Sequence, residues 1–405
     1  MGFHEIPSGE RIHIGFLGRT NVGKSSVLNA VIGQELSVVS DIKGTTTDPV
    51  KKSMELLPIG AVVLIDTPGI DDTGTLGEMR IEKTRQILSK IHIAVLVADA
   101  CRGMTEAEHK LLKEIKDRKI PYLIAYNKCD LLWEKKAEEK DSIYISAKTN
   151  ENISLLKEKL GKLVKSQETE KYLIRDLLNL GDSVVLVVPI DKSAPKGRLI
   201  LPQQQTIRDI LEAGAMVTVC RDSELEETLT MMKQKPRLVI TDSQVFDKVN
   251  SIVPKDILLT SFSILFARYK GDLPVTIAGA KAINLLQDGD KVLISEGCTH
   301  HRQCGDIGRD KLPNWIEQYT GKKLNFFFTS GGEFPQDLSE YALVVHCGGC
   351  MLNEKEMQHR IRTAVGTQIS ITNYGIAIAY MNGILKRSGS FSGNRVVVIR
   401  DWFLI

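Results

Sequence analysis

The 405-residue chain has no long apolar run. Nothing in it approaches the roughly 18–20 apolar residues that a bilayer-spanning helix needs, so no membrane partner is expected. The opening M-G-F-H-E-I-P-S-G-E-R lacks the apolar stretch of a secretory leader, which points to the cytoplasm. No charge of one sign prevails: 53 Lys and Arg face 50 Asp and Glu, a net +3. That balance gives no support to a broad nucleic-acid-binding face. Low-complexity tracts and sequence repeats are missing as well. The seven cysteines are odd in number, which argues against a disulfide framework in a long, leaderless chain. Four of them crowd into the last third, where metal or redox chemistry is the expectation.

What is present is a steady alternation of strand and helix patterns. R-I-H-I-G-F-L-G, A-V-V-L-I-D, I-A-V-L-V-A-D and Y-L-I-A-Y-N read as buried parallel strands with apolar-periodic helices between them. The alternation continues to the end, through D-S-V-V-L-V-V, M-V-T-V-C, R-L-V-I-T-D, K-V-L-I-S, L-N-F-F-F-T and Y-A-L-V-V. The length is too great for one ordinary domain. The expected class is α/β: three consecutive α/β domains over residues 1–168, 169–268 and 269–405, the first with a mostly parallel sheet. The polar stretch V-K-S-Q-E-T-E-K marks the first boundary, and R-Y-K-G-D-L-P lies near the second.

Gly18 to Ser25 spell G-x-x-x-x-G-K-S between a strand and a helix, the context that a phosphate-binding loop requires. Glycines there let successive N–H groups curl round a phosphate, and the helix N-terminus adds its dipole. Asn21, Val22, Gly23 and Ser26 belong to the same loop; Lys24 supplies positive charge to the phosphates and Ser25 a hydroxyl to Mg²⁺. D-T-P-G places Asp66 toward the metal and the Gly69 amide toward the γ-phosphate. N-K-C-D gives Asn127, Lys128 and Asp130, whose carboxylate suits the paired donors of guanine; S-A-K gives Ser146, Ala147 and Lys148 to cover the base. The four motifs, in this order, resemble the translation-factor class of small GTPases, with Lys24, Asp66 and Gly69 as catalytic candidates and GTP or GDP with Mg²⁺ as cofactors.

G-T-T-T-D resembles the switch I of tRNA-modifying and ribosome-assembly GTPases. That resemblance implies Thr46, or else Thr45, as a Mg²⁺ ligand, and Asn21 as a residue that helps hold K⁺ beside the phosphates. The residue after the D-x-x-G glycine is Ile70 rather than a water-orienting glutamine, so slow, potassium-stimulated hydrolysis is expected.

Cys298 and His300 follow K-V-L-I-S; His346, Cys347 and Cys350 follow Y-A-L-V-V. Ligands of open α/β sheets gather at the carboxyl ends of strands, so two parallel strands would bring both motifs to one edge. Cys298, His300, Cys347 and Cys350 would make a tetrahedral zinc site; three thiolates with one exchangeable ligand would equally hold a 4Fe-4S cluster. A redox dithiol at Cys347 and Cys350 would leave the C-x-H unexplained. Cys304 reads as a buried thiol or a spare ligand.

The combination of G-R-T-N-V-G-K-S-S, a middle α/β part, and C-x-H followed by H-C-x-x-C resembles the HydF family of FeFe-hydrogenase maturation GTPases over essentially the full chain. The resemblance implies a 4Fe-4S cluster on Cys298, Cys347 and Cys350. It leaves the fourth position to His300, His346, a carboxylate such as Asp191, or solvent. It also implies a homodimer through the middle part, and a scaffold or carrier for the di-iron precursor of the hydrogenase active site. Radical-SAM maturases would load that carrier and the apo-hydrogenase would receive its cargo. The competing expectation is an RNA-modification or ribosome-assembly GTPase with structural zinc.

Overall fold

A computed structural model describes residues 7–33, 49–70, 83–134, 140–165, 171–190, 199–298 and 306–388. The chain forms two compact units, Met1–Thr169 and Glu170–Ile405.

The first unit holds β1 (Ile12–Leu17), β2 (Val50–Leu56), β3 (Gly60–Asp66), β4 (Ile93–Asp99), β5 (Tyr122–Asn127) and β6 (Ser142–Tyr144). They form one sheet in the order β2-β3-β1-β4-β5-β6. Every neighbouring pair is parallel except β2 and β3. Side chains alternate across a strand, and the core divides accordingly. Phe16 and Val95 pack with Val27 and Leu156 in one cluster, Leu17 and Leu96 with Ile65 and Ile115 in another. Covered on both faces, β4 is buried at every residue, as its unbroken I-A-V-L-V-A-D run predicts. The edge strand β2 escapes such a reading because V-K-K-S-M-E-L is mostly polar and mostly solvated. Chain order reverses at β1, between β3 and β4, and the G-x-x-x-x-G-K-S loop leaves the sheet there, where α/β folds open a ligand crevice.

The second unit holds two four-stranded sheets. One is ordered β10-β9-β7-β8 and the other β12-β11-β13-β14. The first comprises β7 (Ser183–Val187), β8 (Met216–Cys220), β9 (Leu238–Thr241) and β10 (Leu258–Ser261). The second comprises β11 (Lys291–Ser295), β12 (Asn325–Thr329), β13 (Leu343–His346) and β14 (Ser370–Asn373). All their pairings are parallel. A single apolar cluster joins Val185, Val187 and Val239 of one sheet to Val292, Ile294 and Val345 of the other. The helix Phe262–Lys270 follows β10 and is capped by the Ser261 hydroxyl, which accepts the Ile264 N–H at 3.3 Å. Phe262, Ile264, Leu265, Phe266, Ala267 and Lys270 are all buried, so it is a core helix rather than a surface one. The expected boundary at 268–269 falls inside this helix, and the apolar core runs across it.

Candidate functional sites

The phosphate loop is shaped by steric demand. Gly18 has φ 144°, and a Cβ there would stand 2.3 Å from the Val97 carbonyl oxygen. Gly23 has φ 91°, and its Cβ would meet Asn127 Nδ2 at 2.4 Å. Lys24 opens the helix Lys24–Ile32 and is buried; its ammonium donates to the carbonyls of Gly18 (3.2 Å) and Arg19 (2.8 Å). The neighbouring Ser25 hydroxyl donates to Asp66 Oδ2. Asp66 Oδ1 is buried and has no hydrogen-bond partner. Burial raises the Asp66 carboxyl above its ordinary range, against the pull of Ser25, Lys24 and Lys52. A buried oxygen left unsatisfied beside a hydroxyl is costly unless a cation takes it up, and this donor pair fits Mg²⁺. Gly69 packs so tightly on the loop that a Cβ would lie 2.0 Å from Thr20 Oγ1. Ile70 packs against the apolar cluster of Leu17 and Leu96.

The base end is tied to the phosphate end through Asn127. Its Nδ2 donates to the Val22 carbonyl at 3.0 Å, and its Oδ1 accepts the Ala147 N–H at 3.0 Å. Lys128 donates to the Asn21 carbonyl at 3.1 Å and pairs with Asp99 at 2.7 Å. Asp99 is a site residue that sequence reasoning missed. Burial pushes its carboxyl up, but Lys128 and the N–H groups of Cys101 and Arg102 outweigh burial and hold it low. Asp130 lies exposed on the turn after β5, Ser146 is buried, and Ser26 and Lys148 are exposed. Thr45 and Thr46 lie outside the described residues.

The thiol site follows from one register. β11 and β13 are parallel neighbours with Ser295 opposite His346, and the Cys347 N–H donates to the Ser295 carbonyl at 2.9 Å. Cys298 and Cys347 therefore leave the same sheet edge side by side. The Gly297 and Gly349 N–H groups point at Cys347 Sγ, at 3.0 and 3.4 Å. A hydrogen bond from the Cys298 thiol lowers the Cys347 thiol well below its usual range and raises that of Cys298. Burial pushes the Cys350 thiol up to about 11, with Lys270 pulling the other way. Lys270 is itself buried beneath the C-x-x-C loop, donating to the carbonyls of Cys350 (3.1 Å) and Leu352 (2.9 Å). Tyr374 donates to Glu296 at 3.2 Å, beside Cys298. Lys270, Glu296, Tyr374 and Arg360 were not read from the sequence, because none belongs to a ligand-spacing pattern.

His346 is wholly buried. Its Nδ1 is 2.7 Å from the Cys347 carbonyl oxygen and its Nε2 is 3.0 Å from an Arg360 nitrogen. His300, Cys304 and Asp191 lie outside the described residues. Among the described residues no group of three or more His, Cys, Asp or Glu is placed to hold a single metal ion, and no helix is long and apolar enough to cross a membrane. Three thiols from two segments with amide donors aimed at sulfur nevertheless form a donor set suited to iron and sulfide.

The first unit, with its four nucleotide motifs at the ends of β1, β3, β5 and β6, makes this a P-loop GTPase that takes GTP or GDP with Mg²⁺. The 50S ribosome-binding GTPase family model matches residues 13–128. Beyond it, the hydrogen maturase F dimerization domain matches residues 173–271 and the hydrogen maturase F tetramerization domain residues 274–390. Together these two cover more than half of the chain, which belongs to the hydrogen maturase F (HydF) family. Its dimerization and tetramerization domains support oligomer formation.

Curated relatives are similar to well under half of the chain. The tRNA modification GTPase MnmE of Nitrosomonas europaea is 37% identical over 153 residues, covering 36% of this chain and 34% of that protein. GTPase Der of Wolinella succinogenes is 35% identical over 175 residues, covering 39% and 37%. The chain thus spans about a third of the length of the curated relatives it matches. Among solved structures, Era with MgGDPNP and a 16S ribosomal RNA segment aligns at 19% identity and a TM-score of 0.34, over 52% of this chain and 91% of that one. A probable GTP-binding protein engB aligns at 23% identity and a TM-score of 0.32, over 38% and 100%.

Proposed function

We propose that this GTPase is a nucleotide-switched carrier. It holds a 4Fe-4S cluster on Cys298, Cys347 and Cys350, assembles or delivers the di-iron precursor of the FeFe-hydrogenase active site, and works as a homodimer or larger assembly. Radical-SAM maturases are its donors and the apo-hydrogenase its acceptor. The observation that carries the reading is the parallel pairing of β11 with β13, which puts both cysteine segments on one edge. Glycine N–H groups that donate to sulfur are the kind that stabilise a thiolate-bound cluster. When bound, the cluster offers a non-cysteine iron position that incoming cargo can occupy.

In the first unit, Lys24 and the loop N–H groups bind and orient the phosphates, Ser25 and Asp66 hold Mg²⁺, and Asp130 selects guanine. Ile70 is half-buried against the core and its aliphatic side chain aligns no water, so intrinsic turnover is slow and GTP acts as a timer. Asn21, exposed at φ 64° on the loop, is the residue assigned to K⁺. The nucleotide state governs partner exchange rather than the chemistry of the cargo.

Iron and sulfide analysis of anaerobically reconstituted protein tests the carrier. About four irons and four sulfides per chain in brown protein are expected. Colourless protein holding zinc, or RNA retained through purification, would favour a zinc-stabilised RNA-acting GTPase instead.

A further inference from the structure

We infer that Arg360 is the residue that sets the separation of the two cysteine segments, and that His346 is its relay to Cys347 rather than a ligand. Arg360 is 1% exposed and His346 0%. A guanidinium only donates, so the 3.0 Å contact from Arg360 Nη1 makes His346 Nε2 an acceptor. The ring hydrogen then sits on Nδ1 and donates to the Cys347 carbonyl at 2.7 Å. Both ring nitrogens are engaged, and neither has a lone pair left for iron.

The other arm of the guanidinium reaches the second cysteine in the same way. Arg360 Nη2 donates to the Gly331 carbonyl at 2.6 Å, and the Gly331 N–H donates to the Cys298 carbonyl at 3.2 Å. One relay residue therefore stands between Arg360 and each cysteine backbone. Nη1 also donates to Ser295 Oγ at 3.2 Å, at the end of β11, and Nη2 to Glu356 Oε1 at 2.8 Å. The Phe334 ring lies 5.1 Å from the guanidinium carbon. A planar fork with fixed angles spaces two groups as a flexible ammonium does not.

This inference rests on the cluster reading above, and its test separates the two. The variants are Arg360→Lys, His346→Gln and His346→Leu in the full chain. Glutamine can accept from Arg360 and donate to the Cys347 carbonyl; leucine can do neither. After anaerobic reconstitution, His346→Gln keeps the wild-type iron content and the electron paramagnetic resonance spectrum of the reduced cluster. His346→Leu and Arg360→Lys lose at least half of the iron, while GTP hydrolysis, which reports folding of the first unit, stays within about twofold. A histidine nitrogen coupling to the reduced wild-type cluster that vanishes in His346→Gln would overturn the proposal, as would full iron in Arg360→Lys. If wild-type protein takes up no iron, the carrier reading fails on its own. Nitrogen resonances of His346 in the cluster-free protein then decide the hydrogen bonding. The Nδ1–H tautomer in wild type, lost in Arg360→Lys, upholds the Arg360–His346 link; the Nε2–H tautomer in wild type refutes it.

Discussion

The two sites of this chain are built from the same material, loops at the carboxyl ends of parallel strands, yet they are held in place differently. The nucleotide site is braced by backbone groups and by Asn127, within four short contiguous motifs. The thiol site is braced by buried charge: Lys270, far back in the sequence, holds the Cys350 and Leu352 carbonyls, and Arg360, on the helix after the C-x-x-C loop, holds the His346 ring and the Gly331 carbonyl. The first arrangement presents dipoles to an anion that brings its own metal. The second gathers three thiols, and the buried Lys270 ammonium pulls the Cys350 thiol down against the effect of burial.

The largest expected effect tests whether the two sites are separable. Lys24→Ala removes the buried phosphate-binding ammonium and should lower GTP turnover by roughly 10²–10³-fold, as loss of one preorganised charge does. Iron content measured in the same preparation should not change; a joint loss would break the comparison. Next, Cys298→Ala, Cys347→Ala and Cys350→Ala should each remove most of the iron with GTP hydrolysis intact, and any variant with full iron leaves the ligand set. Replacing K⁺ by Na⁺ should slow hydrolysis by about tenfold if Asn21 holds the ion, with one tenfold step equal to about 1.4 kcal/mol of barrier. Equal rates would end that assignment.

The smallest effect concerns Asp66. Its folded pKa is raised by burial, so in nucleotide-free protein the charged form is the disfavoured one. The carboxyl therefore destabilises the fold as pH rises through that raised value, and the cost is absent below its unfolded value. Asp66→Asn should raise the melting temperature of nucleotide-free protein at neutral pH by a few degrees. Mg²⁺ affinity of the wild type should weaken as pH falls through the raised value, because proton and metal compete for one oxygen. A melting temperature unchanged or lowered in Asp66→Asn would contradict this account.

Much of this organisation was legible in the residues. The buried strands announce themselves as apolar runs, and each motif of the nucleotide site is local, so order and spacing suffice to find it. The convergence of Cys298 with Cys347 followed from two strand-end positions once the strands were taken as parallel. What stayed hidden is non-local or solvated. The edge strand β2 carries lysines and a glutamate where a strand reader looks for valines. β10 and β14, four residues each, carry too little pattern to stand out. Arg360 and Lys270 sit in ordinary-looking helices, and only the fold reveals that they are buried. The surroundings of His346 were also hidden: its neighbours in H-C-G-G-C suggest a ligand, and only the fold shows its Nε2 3.0 Å from a nitrogen of Arg360, fourteen residues further on.

The pair of hydrogen bonds from Lys270 to the loop after Cys350 has a practical corollary for dissection. That lysine ends a helix whose residues 262–270 belong to the span matched as the dimerization domain, and its loop partners belong to the next domain. A shortened chain starting at Pro274 would keep Cys298, Cys347 and Cys350 yet abandon the floor on which Cys350 rests. The last two domains of this protein are therefore better excised together than apart.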